Sequence, residues 1–422
     1  MLTIRCACIA LACGTLPLAW GAASAQPAWR EAYQSSPATY EAPSEEFIKF
    51  ANQHWNVPAE KLRSDLTPQP VSGTIRYRVT LQASGSQIRV RFSNEEVAIP
   101  LRIGAASVAL SAGAYAAKPD SLVALTFGGA KAVTVPAGAP FLSDPVTLPV
   151  KSGTELLVSI ALASPIMNEG RGGAGFSVGA GDQAMQAVLD RPSALNGRPL
   201  VTGVSVLSDK PPRVIVAFGD SITDGNRVNP GALHGWPEVL AQRLAARTGG
   251  QRYTVVNAGI AGNRVLASGW GAAALSRLDR DALRIDGISH LILLEGVNDI
   301  NFSGKSPFGT NPEITSDDLI NGYRQIIARC HDRGVKVYLG TLTPNPGDAA
   351  TSTAAKRALR DDVNRWMRTS GEPDGVIDFD AIVRDPAAPS QFAPAFDSGD
   401  HLHPSDAGHM AMGQGIDLAL FP

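Results

Sequence analysis

The stretch Val214-Ile215-Val216-Ala217-Phe218-Gly219-Asp220-Ser221-Ile222-Thr223-Asp224-Gly225 decides how the rest of the chain is read. It opens on five unbroken apolar residues, as a strand buried on both faces requires, and closes on a polar turn. Downstream, strand-like and helix-like segments alternate. Gly235–Arg247 has helical periodicity, Thr254–Val256 reads as a strand, Ala272–Leu283 as helix and Leu291–Leu294 as strand. Ser316–Arg333 is a long helix, Val335–Leu339 a strand, Thr353–Arg368 a helix, Val376–Phe379 a strand and Ser405–Leu420 a helix. That rhythm predicts a parallel sheet covered by helices on both faces.

Upstream the rhythm differs. From about residue 72 to 205, runs such as Thr74–Leu81 and Ile88–Phe92 alternate apolar and polar residues. Further short β-prone runs follow at Leu122–Phe127, Ala132–Val135, Val146–Val150 and Glu155–Ala161, with Gly, Pro, Ser and Asp between them. This predicts antiparallel β structure, most simply a β-sandwich of jelly-roll type. Residues 26–70 are polar and mixed, and read as a lead-in segment with a short helix near Glu45, Glu46 and Lys49. The expected organisation is 1–25 signal peptide, 26–70 lead-in, 71–205 β-sandwich domain and 206–422 α/β domain.

Composition limits the function. The 422 residues exceed one ordinary core, and 44% hydrophobic against 18% charged excludes global disorder. A formal net charge of -2 gives no support to a nucleic-acid partner or an acidic membrane surface. Arg5, the broken apolar run Cys6–Trp20 and Ala23-Ser24-Ala25 form a secretory signal with cleavage after Ala25. A lipoprotein signal using Cys13 ranks second, because Ala10 stands where a larger aliphatic residue is wanted. No other apolar run is long enough to span a bilayer, so stable membrane insertion is not expected. The destination is periplasmic or extracellular. Cys6, Cys8 and Cys13 leave with the signal, so Cys330 is the one cysteine of the mature chain and has the spacing of a buried helix residue.

In open α/β sheets ligands bind at the carboxyl ends of the strands. The residues there are Gly219-Asp220-Ser221, Asn257-Ala258-Gly259, Glu295–Asp299, Thr341–Pro344 and Asp380. Ser221, on a strand-to-helix turn, has the position of a nucleophile, although a serine there also serves as a helix N-cap. Asp400-His401-Leu402-His403 supplies a base. A carboxylate three residues before His403 holds Nδ1–H and leaves Nε2 to face a nucleophile. The alternative use of His401-x-His403 as metal ligands lacks a third and fourth ligand. Oxyanion donors, each worth about 3–4 kcal/mol, are offered by the backbone of Gly262 and the amide of Asn298. Each also has a plain reading, as a loop glycine and an Asx-turn.

The four blocks Gly219-Asp220-Ser221, Gly262, Gly296-Val297-Asn298-Asp299 and Asp400-x-x-His403 occur in order after expected strands. Together they resemble the GDSL/SGNH hydrolase superfamily, over residues 213–420. Segments such as Arg89–Asn94, Pro100–Ala106 and Ala137–Asp144 resemble the amino-terminal β domain of its secreted two-domain members. The resemblance implies a flavodoxin-like three-layer α/β/α fold. It implies Ser221 as nucleophile, His403 as base and Asp400 as its orienter, with an oxyanion hole of the Ser221 N–H, the Gly262 N–H and Asn298. It implies neither metal nor organic cofactor. Arg227–Gly235 departs from the more charged segment of other members and borders the site, so it bears on substrate preference.

Arg264 and Trp236 are candidate substrate contacts, with a surface salt bridge and core packing as their plain alternatives. Trp270 is a second aromatic suited to a sugar or aryl pocket. Asp299 is expected to support Asn298 or a helix terminus, Asp220 to anchor its loop, and Lys356, Arg357 and Arg360 to lie on a solvated helix face. The expected partner is an ester with a short acyl group, acetyl first, on carbohydrate. The alternatives are a lipase or thioesterase acting on longer chains, and a carbohydrate-binding protein with an inactive hydrolase domain.

Overall fold

A computed structural model of the chain describes residues 26–39, 42–55, 57–168, 175–197, 199–225, 235–247, 252–306, 309–347 and 351–422. The expected signal peptide, 1–25, and most of the Arg227–Gly235 segment lie outside them.

The carboxyl-terminal half is built on five parallel strands, β1 (Arg213–Gly219), β2 (Tyr253–Gly259), β3 (Ile288–Leu294), β4 (Lys336–Gly340) and β5 (Gly375–Ile377). Their order across the sheet is β2-β1-β3-β4-β5. This is the flavodoxin-like order, which reverses direction next to β1 and opens a crevice at its carboxyl end. Side chains of β1 alternate between two cores because a strand has a period of two. Val214, Val216 and Phe218 join a cluster with Tyr323, Ile326 and Cys330. Ile215 and Ala217 join another with Trp236, Leu240 and Met412.

Eight helices accompany the sheet among the described residues: α1 (Ser221–Asp224), α2 (Trp236–Ala245), α3 (Ala274–Leu278), α4 (Val297–Phe302), α5 (Ser316–His331), α6 (Ala354–Thr369), α7 (Phe379–Val383) and α8 (Asp406–Gly415). Several differ from the sequence reading. The helix expected over Ala272–Leu283 is α3 followed by a π-helical turn, Asp279–Leu283. Phe379 starts α7 instead of ending a strand, because the Asp378 side chain caps that helix by accepting from the Ala381 N–H. The last helix breaks at Ile416 and resumes as a 3₁₀ turn, Leu418–Leu420. Arg360 is not on a solvated face. It is buried, and its guanidinium meets Asp380 at 3.2 Å and Thr343 O at 3.1 Å. Lys356 Nζ donates to Asn301 O at 2.7 Å. Helical periodicity cannot reveal that a neighbouring element brings an acceptor to a cationic position.

The amino-terminal half carries two antiparallel sheets. In one, Ala28–Gln34, Val201–Ser208, Gly85–Ser93 and Val146–Val150 run in that order, with Pro140–Leu142 also paired to Gly85–Ser93. The other centres on Thr74–Thr80, Glu155–Leu162 and Leu101–Gly113. Both contribute to one apolar cluster: Ile88, Val90 and Phe92 from the first, Ile75, Val158 and Ile160 from the second. The lead-in segment is therefore partly a sheet edge, since Ala28–Gln34 pairs with Val201–Ser208. Its Arg30 Nε donates to Pro212 O at 2.9 Å and its Gln34 Nε2 to Asp281 O at 2.6 Å. Two helices follow, Glu45–Trp55 and Ala59–Leu66. Phe47, Ile48, Ala51 and Leu62 pack there, with Trp270 against them.

Candidate active site

β1 delivers Ser221 to the crevice. The cap of α1 is not Ser221 but Asp220, whose Oδ1 accepts from the Ile222 N–H at 3.0 Å. The serine hydroxyl is thereby left for another partner. It lies 2.8 Å from His403 Nε2. The other ring nitrogen, His403 Nδ1, lies 2.8 Å from Asp400 Oδ2. Asp400 is fixed by its own loop, because Oδ1 accepts from the N–H groups of Leu402 at 3.1 Å and His403 at 2.8 Å. Burial opposes ionisation of Asp400. The His403 ring and these N–H donors outweigh it and hold the carboxyl well below the usual carboxylate range. Geometry and charge thus agree on an imidazole oriented by an ionised carboxylate and facing a hydroxyl.

Asn298 and Gly262 reach the same crevice from the ends of β3 and β2. Asn298 is buried, and one amide N–H donates to Asn263 O at 3.1 Å. That bond orients the amide and leaves its second N–H. The Ser221 and Gly262 N–H groups have no acceptor among the described residues. Gly262 adopts φ +79°, and a Cβ there would stand 2.1 Å from Cε3 of Trp270. Glycine is required on both counts. Gly296, at φ +133°, admits the Tyr323 hydroxyl in the same way, and that hydroxyl donates to Glu295 O at 2.7 Å.

Two candidate contacts resolve differently. Trp236 is fully buried and packs on Phe379, ring centroids 5.2 Å apart, so it is a core residue and not a substrate contact. A large apolar side chain at the start of an amphipathic helix is drawn into the sheet–helix layer. Among the described residues Arg264 makes no salt bridge. It is largely buried, donating to Asn311 Oδ1 at 3.1 Å and Ser268 O at 2.5 Å. His401 pairs with Asp397, Nδ1 to Oδ2 2.6 Å, and plays no part in the Ser221–His403 contact. Asp299 anchors the Gly262 loop, accepting from the N–H groups of Val265 at 2.8 Å and Leu266 at 2.9 Å.

Sequence reading missed what lies beneath. Arg277 is wholly buried, its guanidinium 3.8 Å from the Phe218 ring centroid. It donates to Gly219 O at 2.9 Å, Ala258 O at 2.7 Å and Asn263 Oδ1 at 2.8 Å, and meets Asp281 at 3.2 Å and Glu295 at 3.4 Å. Burial pushes Glu295 up to about 8; Arg277 pulls it down, and Asp220 and Asp299 add to the rise. Burial also raises Asp220 to about 7 and Asp299 to about 6. Glu295 was legible, since it sits at a strand's carboxyl end. Arg277 gave no signal, being one cation in a helical pattern.

The model of the GDSL-like lipase/acylhydrolase family matches residues 217–411. Among solved structures, the chain is similar to Axe2, an acetylxylan esterase from Geobacillus stearothermophilus. Identity is 22%, TM-score 0.39, and the match covers 49% of this chain and 93% of that one. It is also similar to LAE5, an alpha/beta hydrolase enzyme from the metagenome of Lake Arreo, Spain, at 24% identity and TM-score 0.37, covering 49% and 94%. A third is a protein described as lipolytic and of the G-D-S-L family, from Desulfitobacterium hafniense DCB-2. It shares 20% identity at TM-score 0.37, over 48% and 96%. No curated protein matches the chain.

Proposed function

Because the chain belongs, through residues 217–411, to the GDSL-like lipase/acylhydrolase family and is a carboxylic ester hydrolase, we propose that it cleaves short-acyl esters of carbohydrates through an acyl-enzyme on Ser221. The observation that carries this reading is the unbroken relay from the Ser221 hydroxyl through His403 to Asp400, at 2.8 Å and 2.8 Å.

Ser221 Oγ attacks the acyl carbon as His403 Nε2 takes its proton, and Asp400 steadies the imidazolium. Negative charge on the former carbonyl oxygen is met by the N–H groups of Ser221 and Gly262 and by the Asn298 amide. The tetrahedral intermediate expels the alcohol, which leaves with the proton from His403. Water, activated by the same imidazole, then attacks the acyl-enzyme, releases the acid and restores Ser221. Every proton is carried by the one histidine.

The acyl preference rests on Trp270. Its partly exposed indole lies against Gly262 and is 6.0 Å from the Phe302 ring, centroid to centroid. An indole wall beside the Gly262 N–H supports the reading that acetyl is preferred over a long acyl chain. A flat indole beside the scissile bond also suits a sugar face. The two antiparallel sheets, sharing one core, are read as a β-sandwich domain over 71–205, extended by the 28–34 strand. Export rests on the 1–25 sequence. Among the described residues no helix is long and apolar enough to cross a membrane.

A chain-length series of p-nitrophenyl esters, run beside Ser221→Ala, tests the reading. Turnover should peak at two carbons and vanish in the mutant. A maximum at about eight carbons or more would replace the short-acyl reading with a lipase-type one. Turnover surviving in Ser221→Ala would remove the nucleophile. Amino-terminal sequencing of exported protein should begin at Gln26.

A further inference from the structure

We propose that the amino-terminal β region positions the oxyanion groups, through a chain of charged side chains ending on Arg277; the proposal rests on the roles given above to Ser221, Gly262 and Asn298. Among the described residues, Arg277 is the one side chain whose bonds reach all three loops. It holds Gly219 O two residues before Ser221, Ala258 O and Asn263 Oδ1 on either side of Gly262, and Glu295 three residues before Asn298. Asn263 passes the restraint on, because its carbonyl oxygen orients the Asn298 amide.

Arg277 is in turn fixed from behind. Asp281 meets it at 3.2 Å, one helical turn away. Asp281 is gripped by Arg280, whose Nε donates to Oδ1 at 2.6 Å and whose Nη2 donates to Oδ2 at 3.0 Å. The other arm of that fork leaves the hydrolase half altogether. Arg280 Nη1 pairs with Glu96, and Nη2 also donates to Pro37 O at 3.0 Å. Thr39 Oγ1 donates to the other Glu96 oxygen at 2.7 Å, and Gln34 Nε2 holds the Asp281 carbonyl.

The backbone explains why two successive residues can serve both sides. Asp279–Leu283 is a π-helical turn, whose wider winding alters the spacing of side chains around the helix axis. Along the chain Glu96, Arg280, Asp281 and Arg277, burial deepens from side chains 16% and 18% exposed to 3% and 0%. Bonds between charges strengthen as water is excluded, and each fixes the rotamer of the next. A neutral residue at the outer end frees the Arg280 fork, then Asp281, then the guanidinium that sets Asn263 and Asn298. Two further ion pairs join the halves, Arg284 with Glu95 at 2.8 Å beside this chain and Arg89 with Asp286 at 3.6 Å away from it.

The test compares Glu96→Gln and Arg280→Gln with Asp286→Asn. Two rates are read, phosphonylation of Ser221 by a fluorophosphonate and kcat for p-nitrophenyl acetate per labelled site. Counting labelled sites removes any loss of folded protein, and a melting curve for each variant records it separately. Glu96→Gln and Arg280→Gln should each slow both rates about threefold to tenfold. KM should stay within about twofold, and the double variant should be no slower than the worse single one. Asp286→Asn should match the wild type. Equal rates in all variants, with wild-type Ser221 labelled, overturn the positioning role even if melting temperatures fall. A wild-type protein left unlabelled at Ser221 overturns the nucleophile reading itself, and this proposal with it.

Discussion

A serine hydroxyl is a poor nucleophile until a neighbour removes its proton, so Ser221 is worth little without the two residues behind it. Asp400 fixes the His403 tautomer, and Asp400→Asn should cut kcat by about 10^4-fold with KM little changed, as steady-state kinetics would read. Asn298→Ala should cost about 10^2–10^3-fold in kcat through the lost oxyanion donor. Asp400 also has a pH signature. Its carboxyl is held below its unfolded value, so its stabilising contribution is full above about pH 4 and is lost as pH falls through the folded pKa. At this scale the sequence was informative where chemistry forces a residue type. The spacing of Asp400 and His403 on one loop brings carboxylate and ring together almost by itself. Trp236 shows the limit, because an indole that suits a sugar suits a core as well.

Elements decide which atoms reach the crevice. Two short turns after β1 and β2 and a third after β3 are held so close that only glycine fits at Gly262 and Gly296. Gly262→Ala would place a methyl on the Trp270 ring at a φ that alanine resists, costing about 1–3 kcal/mol and displacing the loop. Reduced activity per labelled site, together with a lower melting temperature, is the expected result; a fully active variant would exclude Gly262 from the oxyanion hole. The strands of the α/β half were legible because both faces of β1 are buried, which demands an unbroken apolar run. The 28–34 strand was not, since Ala28–Gln34 includes Arg30, Glu31 and Gln34. Gln34 bonds Asp281 O and Arg30 bonds Pro212 O, contacts that the neighbouring half supplies, while the buried Glu31 meets Ser205 and Arg91 of its own sheet.

The whole molecule carries an unusual charge burden in its centre. Burial pushes Glu295 to about 8 and Asp220 to about 7. Asp224 and Glu238 are likewise raised chiefly by burial, to about 7 and about 8. Each folded pKa lies above the unfolded value of about 4. Between about pH 4 and 8 the folded state therefore binds more protons than the unfolded one, and stability falls as pH rises. The melting temperature should be higher at pH 5.5 than at pH 8.5, and Glu295→Gln should flatten that slope. A melting temperature that rose over this interval would mean these carboxyls are ionised in the folded protein.

The sequence by itself determined the α/β rhythm of the second half, the antiparallel character of the first, and the identities of Ser221, Gly262, Asn298, Asp400 and His403 as candidates. Those features follow from local rules, the period of a strand, the residue types a turn admits and the chemistry of a nucleophile and base. Only the tertiary structure decided that Asp220 and not Ser221 caps α1, that Trp236 is core, and that Arg277 ties three loops to one guanidinium. The places of Trp236 and Arg277 depend on partners distant in the chain, Phe379 for the first and, for the second, Asn263 and Gly219, 14 and 58 residues away. No local pattern encodes such pairs, because a buried charge is stable only where distant acceptors converge on it.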